Sequence, residues 1–171
     1  MQLRRATVSD AQALSALSSA CFTQTFGHLY PPEDLSHFLE EAYAATAWAC
    51  LLSDTAYATW LLEVDGRPVG YATAGACMLP HADVAPEDGE LKRLYVLREC
   101  QNGGWGSRLF DAAMEWLLRD GPRTLWIGVW SENLGAQRFY ARHGFERVGD
   151  YDFVVGSTRD HEYILRRPAR L

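Results

Sequence analysis

The stretch from Glu90 to Trp130 constrains the fold more than any other part of the chain. It reads as a strand, "ELKRLYVL", a glycine-rich loop within "QNGGWGSRL", an amphipathic helix and a second strand, "RTLWIGVW". Trp105, Leu109, Ala112, Ala113, Trp116 and Leu117 form the helix's apolar face, and Gly121-Pro122 ends it. A strand–helix–strand succession of this kind gives a parallel pair joined by a right-handed crossover. The nearly unbroken apolar character of the second strand predicts burial on both faces.

The flanking segments add elements of both kinds. "LRRATVSD" reads as a short first strand leading to a helix capped by Ser9 or Asp10. Ala11, Leu14, Leu17, Ser18, Cys21 and Phe22 keep helical period, and Gly27 ends the run. "YPPEDLSHFLEEAYAAT" predicts a second helix, with Pro32 in its first turn, and "AWACLLSD" a short third. "YATWLLEV" and "RPVGYATAGACM" predict two strands joined by an Asp65-Gly66 hairpin turn. After the central unit come a helix, "ENLGAQRFYARHG", and two closing strands, "ERVGDYDFVVG" and "DHEYILRR". The order is one strand, two or three helices, three strands, helix, strand, helix and two strands, a mixed α/β (α+β) domain.

The 171 residues fit a single domain, residues 1–171. No apolar run approaches the ~20 residues a membrane span requires. No apolar stretch follows the basic N-terminus, so a signal peptide is not expected, and the expected location is the cytoplasm. The cysteines at 21, 50, 77 and 100 form no CxxC pair and no zinc spacing, so reduced thiols and no metal are expected. A net charge of −6 argues against a nucleic-acid binder, which would carry a basic stripe.

A glycine-rich loop between a strand and a helix can hold an anion, because backbone N–H groups converge there and the helix dipole favours negative charge. A P-loop needs Lys and then Ser/Thr after its last glycine, whereas Ser107 and Arg108 follow Gly106. A dinucleotide fingerprint needs a third glycine where Leu109 stands. A tight turn without a ligand stays open from the loop alone. "QNGGWG" does match Q/R-x-x-G-x-G/A, through Gln101, Gly104 and Gly106.

That pattern resembles the acetyl-CoA pyrophosphate loop of the GNAT superfamily of N-acetyltransferases. "LWIGVWSENLGAQRFYARHGFERVG" resembles the second signature region of the same family. "CFTQTF" with "PPEDLSHFLEEAY", and the later "VGDYDFVVG", are similar to the PaiA-type polyamine acetyltransferases. The resemblance implies a seven-stranded, mostly antiparallel sheet with a central parallel pair that splays apart, and helices on both faces. It also implies acetyl-CoA as cosubstrate and direct transfer to a primary amine in a ternary complex. The acceptor would be a small cationic molecule, such as the polyamines spermidine and spermine. No nucleic-acid or membrane partner is implied; a homodimer is compatible.

By the same resemblance, the pyrophosphate would lie on the backbone of Gln101, Asn102, Gly103, Gly104, Trp105, Gly106 and Ser107. The pantetheine arm would pair with Leu94, Tyr95 and Val96 as an added strand, with Asn133 on its other side. Asn133 equally suits a helix cap. The Val96 N–H would face the developing oxyanion. An alkyl ammonium, pKa near ~10.4, must lose a proton before it attacks. Glu90 is the expected base, acting directly or through a water, ahead of Tyr95, Glu63 and Asp88; it could equally be a solvated strand-end glutamate. Tyr140 would protonate the leaving thiolate, a reasonable transfer for a phenol of pKa about 10 to a thiol of about 8.5.

Of Phe139 and Tyr140, one ring is expected to face the core and the other a groove. Trp105 is expected to turn its ring into the core. Cys100 adjoins the loop without a neighbouring His, so a covalent acetyl-cysteine route is disfavoured. Glu33, Asp34, Glu40 and Glu41, or Asp83, Glu87 and Asp88, are candidate linings for a cationic acceptor, though each cluster also reads as a solvated face. A peptide N-terminus, a lysine or an amino-antibiotic would need similar chemistry, and a CoA-binding module without turnover would keep the loop while having no need of Glu90 or Tyr140.

Overall fold

The computed structural model of the chain describes residues 1–169. The strands are β1 (Gln2–Arg5), β2 (Ala58–Val64), β3 (Arg67–Ala76), β4 (Gly89–Val96), β5 (Leu125–Trp130), β6 (Glu146–Val155) and β7 (Thr158–Arg167). They form one sheet in the order β1-β2-β3-β4-β5-β7-β6. Every pairing is antiparallel except β4–β5. The helices are α1 (Ala11–Phe26), α2 (Pro32–Ala42), α3 (Ala45–Ser53), α4 (Trp105–Leu117) and α5 (Leu134–Arg142).

Successive residues of a strand point to opposite faces, and β3 shows what covers each. A Cβ at Gly70 would meet Leu109 of α4 at 3.4 Å, while the Tyr71 ring meets Trp48 of α3 edge-on at 5.6 Å. Helices therefore cover both faces. The predicted apolar stripe of α1 is buried throughout, Ser18 included. That hydroxyl donates to the Leu14 carbonyl at 2.6 Å and accepts the Trp48 indole N–H at 3.0 Å, docking α3 on α1. β5 is buried or half-buried along its length, and Asp65 and Gly66 take positive φ in the β2–β3 turn.

Two local expectations shift. The second helix stops at Ala42, because the Tyr43 ring folds into the core against Phe22 and Phe38, and α3 restarts at Ala45. Asp10 does not cap α1 with its side chain. Arg4 claims that carboxylate through two bonds of 2.9 and 2.8 Å, and the Thr7 N–H takes a third at 2.8 Å, closing a 3-10 turn instead. The guanidinium holds the Asp10 carboxyl down to about 2, below the usual carboxylate range.

Candidate active site

The two parallel strands pair only at Gly89–Leu125 and Glu90–Trp126, and then part. Beyond that point a narrow cleft of about 80 Å³ opens between Leu94 and Tyr95 of β4 and Ile127 and Trp130 of β5. On the side of α4 and α5 it runs into a groove of about 270 Å³ that reaches Gln101, Asn102 and Gly106. On the other side it meets a pocket of about 230 Å³. Leu94 and Tyr140 border both groove and cleft, while Tyr95 and Glu162 border both cleft and pocket. The three spaces make one passage through the sheet.

The loop end of this passage is built from backbone. Gly104 caps α4 with φ +76°, and Asn102 also takes a positive φ of 65°. Arg108 N–H bonds the Gly104 carbonyl, so the N–H groups of Trp105, Gly106 and Ser107 precede the helical ladder and are left for an anion. Nothing lies within 4 Å of a Cβ built at Gly104 or Gly106, so the loop presents open backbone. The Gln101 side chain donates to the Val96 carbonyl at 2.9 Å and ties the loop to the end of β4. Gly103 packs against the Trp105 ring. Trp105 packs against the edge of the core, as expected, but is only half-buried, with the Arg108 guanidinium 4.8 Å from the ring centre. The loop geometry fits the diphosphate that the resemblance implies.

Asn133 is the side-chain cap of α5, its Oδ1 accepting the Ala136 N–H at 3.0 Å, and it also borders the cleft. Tyr140 is buried against Phe110 and Phe145, and Phe139 is half-buried. Both rings border the groove, which follows the flank of α5 past Gly135 and Ala136, so the division between core and groove does not hold. Only Tyr140 also reaches the cleft. Burial pushes its hydroxyl above the ordinary tyrosine range, keeping it a proton carrier at neutral pH.

The opposite pocket is acidic and aromatic. Glu90 lies in its wall, buried, with Oε2 accepting from both the Lys92 ammonium and the Met78 N–H at 2.8 Å. It is thus not a solvated strand-end residue. Two further carboxylates, Asp160 and Glu162, come from β7 and were not anticipated. The Tyr30 hydroxyl donates to Asp160, and the Tyr151 hydroxyl donates to Glu162 Oε2 at 2.5 Å. Burial, aided by the neighbouring Asp160 charge, raises the Glu162 carboxyl above the usual range; the Tyr151 bond opposes the rise. Alternation along "DHEY" carried the signal, because residues two apart share a strand face.

The anticipated acidic clusters lie elsewhere. α2 turns Phe38 and Ala42 to the pocket, while Asp34 accepts from the Ser157 N–H at 3.2 Å. Asp83 pairs with Arg166 at 2.9 Å, and Asp88 is buried under the Trp126 indole, which donates to it at 2.7 Å. Glu63 is bound to Arg4. Among the described residues no His, Cys, Asp and Glu group is arranged for a metal, and no helix is long and apolar enough to cross a membrane. Burial pushes the Cys21 thiol up to about 12 and the Cys77 thiol to about 11, away from nucleophile chemistry at neutral pH.

A splayed parallel pair with open backbone N–H groups at one end and an acidic, aromatic pocket at the other is an arrangement suited to acyl transfer. The acetyltransferase (GNAT) family model matches residues 12–145, and the chain belongs to that family, with acetyl-CoA as cosubstrate. An uncharacterised N-acetyltransferase encoded in the pepI 3' region of Lactobacillus delbrueckii subsp. lactis is 30% identical over 158 residues, 92% of this chain and 91% of that protein. An uncharacterised N-acetyltransferase of Mycobacterium tuberculosis is 30% identical over 160 residues, 94% and 98% of the two chains. The fold is that of the PaiA N-acetyltransferase of Thermoplasma acidophilum, solved with coenzyme A (TM-score 0.77, 18% identity, 98% of each chain). It is also that of the ribosomal-protein-S18-alanine N-acetyltransferase of Escherichia coli (TM-score 0.71, 17% identity, 99% and 94% of the two chains).

Proposed function

We propose that the enzyme acetylates a primary amine of a small cationic substrate held in the acidic pocket, by direct attack in a ternary complex. The observation that carries this reading is the passage itself, which joins the glycine loop to three carboxylates through the gap between β4 and β5. The N–H groups at the start of α4 hold the diphosphate, and Leu94, Tyr95 and Val96 offer an unpaired strand edge to the pantetheine. The Val96 N–H stabilises the oxyanion, and Tyr140 supplies the proton for the sulfur. Bound acetyl-CoA supplies the activated acetyl group. Glu90, tied to Lys92, contributes to the pocket's negative field.

A polyamine such as spermidine suits the carboxylates and ring faces of the pocket. One observation favours a second acceptor class. Arg93 lines the same pocket over the faces of Tyr43 and Trp48, at 5.1 and 5.3 Å, and no carboxylate pairs with it among the described residues. A free guanidinium across from Asp160 and Glu162 suits an amine that also carries a carboxylate, as an amino acid does.

Thermal shifts with acetyl-CoA and NAD, followed by CoA release with an amine panel, test the function. Stabilisation by acetyl-CoA but not NAD, and CoA release with at least one amine, are expected. Binding without release from any amine would leave a CoA-binding module. Comparing spermidine with amino acids and their amides then separates the two acceptor classes.

A further inference from the structure

We propose that Glu162 is the catalytic residue that takes the proton from the acceptor's ammonium group, with Tyr151 as its positioning residue; this rests on the transferase reading above. The assignment moves the base from the start of β4, where Glu90 stands, to the middle of β7.

Position is the first argument. Glu162 borders both the acceptor pocket and the cleft between the splayed strands, whereas Glu90 borders the pocket alone. An amine approaching the mouth of the cleft meets Glu162 on the wall it must pass. Glu162 lies opposite Trp130 on β5 and opposite Tyr151 on β6, so its backbone is fixed by ladders on both sides.

Availability is the second. Glu90 Oε2 is already occupied by two donors, the Lys92 ammonium and the Met78 N–H, each at 2.8 Å. Among the described residues Glu162 pairs with no cation, and the Tyr151 hydroxyl donates to its Oε2. Oε1 is the atom left to receive a proton. The raised proton affinity of this carboxyl brings it toward the operating pH, where a general base is most effective.

The third is the room made for the pair. A Cβ at Gly128 of β5 would lie 2.7 Å from the Tyr151 hydroxyl and 3.3 Å from Glu162 Oε2. β5 therefore carries no side chain at the point where the hydrogen-bonded phenol and carboxylate lie against it, and Gly128 and Glu162 both border the cleft there.

The step balances as follows. The ammonium gives its first proton to Glu162, which later releases it to water. The nitrogen lone pair forms the C–N bond at the thioester carbonyl, and the C–S bond breaks. The second nitrogen proton, lost on amide formation, passes to solvent, and the Tyr140 phenolate, having given its proton to the departing sulfur, takes one back from solvent.

The test uses the full-length protein, with CoA release measured against pH for the amine that turns over best. Glu162→Gln is expected to lower kcat about a hundredfold or more, to abolish the acid limb of the profile and to leave acetyl-CoA affinity unchanged. Glu90→Gln should keep that limb. The groups sharing the pocket that titrate or carry charge are Tyr151, Asp160, Tyr30, Tyr95, Tyr43, Arg93 and the Glu90–Lys92 pair. Tyr151→Phe removes a bond that favours the carboxylate, so the limb should move to higher pH with kcat on the plateau changed less than about tenfold.

A Glu162→Gln enzyme with wild-type kcat and an intact limb overturns the proposal while leaving the transferase reading in place. If Glu162→Gln loses its thermal transition, Tyr151→Phe decides, and a limb that does not move overturns the assignment. No CoA release by the unsubstituted enzyme with any amine overturns the transferase reading and the base together.

Discussion

The two ends of the passage are made in opposite ways. At the loop end the groups left open are backbone N–H donors from a short contiguous segment, and the Gln101 side chain ties that segment to the end of β4. At the pocket end the working groups are side chains gathered from α1, α2, β4, β6 and β7. Tyr30 and Asp160, which bond each other, stand 130 residues apart in the chain. A backbone site is sensitive to conformation and indifferent to most side-chain chemistry. A side-chain site is sensitive to charge and tolerant of small backbone change. Substitutions at the two ends should therefore fail differently.

The largest effect is expected at the loop. Gly104→Val places a β-branched residue at φ +76° and sets bulk where the ligand must approach the backbone. Acetyl-CoA affinity should fall by about a hundredfold, near 2.7 kcal/mol, as read by calorimetry. Unchanged affinity would break the contrast, because it would mean that the loop does not bind through its backbone.

Next in size is Tyr140→Phe. The ring stays and one hydroxyl leaves, so packing against Phe110 and Phe145 should persist. Turnover should drop about tenfold while acetyl-CoA still binds. Equal turnover would remove the acid role and leave Tyr140 a packing residue bordering the groove.

The same contrast explains what could be read from the chain. The loop end could be picked out as a candidate because its signal is local: Gln101, Gly104, Gly106, Asn133 and Tyr140 are spaced along one continuous strand–helix–strand–helix run. The fold was legible because α1 and α4 keep helical period and β5 is a nearly unbroken apolar run. The acceptor pocket was not, since its members share no segment. Acidic residues on α2 and in the loop before β4 were weighed by composition, whereas the face a helix turns inward is set by its apolar residues. On α2 that face carries Phe38 and Ala42. Asp160 and Glu162 could have been found by asking which residues of β7 share a face, but only with the neighbouring strands known would that face have become a pocket wall.

A smaller effect is expected from Asp160→Asn. Removing one charge from a pocket of three carboxylates should raise the amine KM several-fold, roughly the 1 kcal/mol of a pair in a high effective dielectric. Acetyl-CoA affinity should not move. A fall in both would show that the two ends are not independent and would sharpen the comparison into a coupling between them.

The smallest effect concerns Asn133, which belongs to both descriptions. As a cap its Oδ1 serves α5, and the same residue borders the cleft. Asn133→Ala should cost about 1 kcal/mol of stability through the lost cap. For a domain of this size that lowers Tm by roughly 2–4 °C. Asn133→Ser keeps a capping oxygen and removes the amide donor, so it should restore most of the Tm. If Ser also restores acetyl-CoA affinity, Asn133 acts by placing α5, and with it Tyr140, beside the cleft. If affinity stays low while Tm recovers, the amide binds the cosubstrate directly, and the loop end includes one side chain that works as the pocket's side chains do.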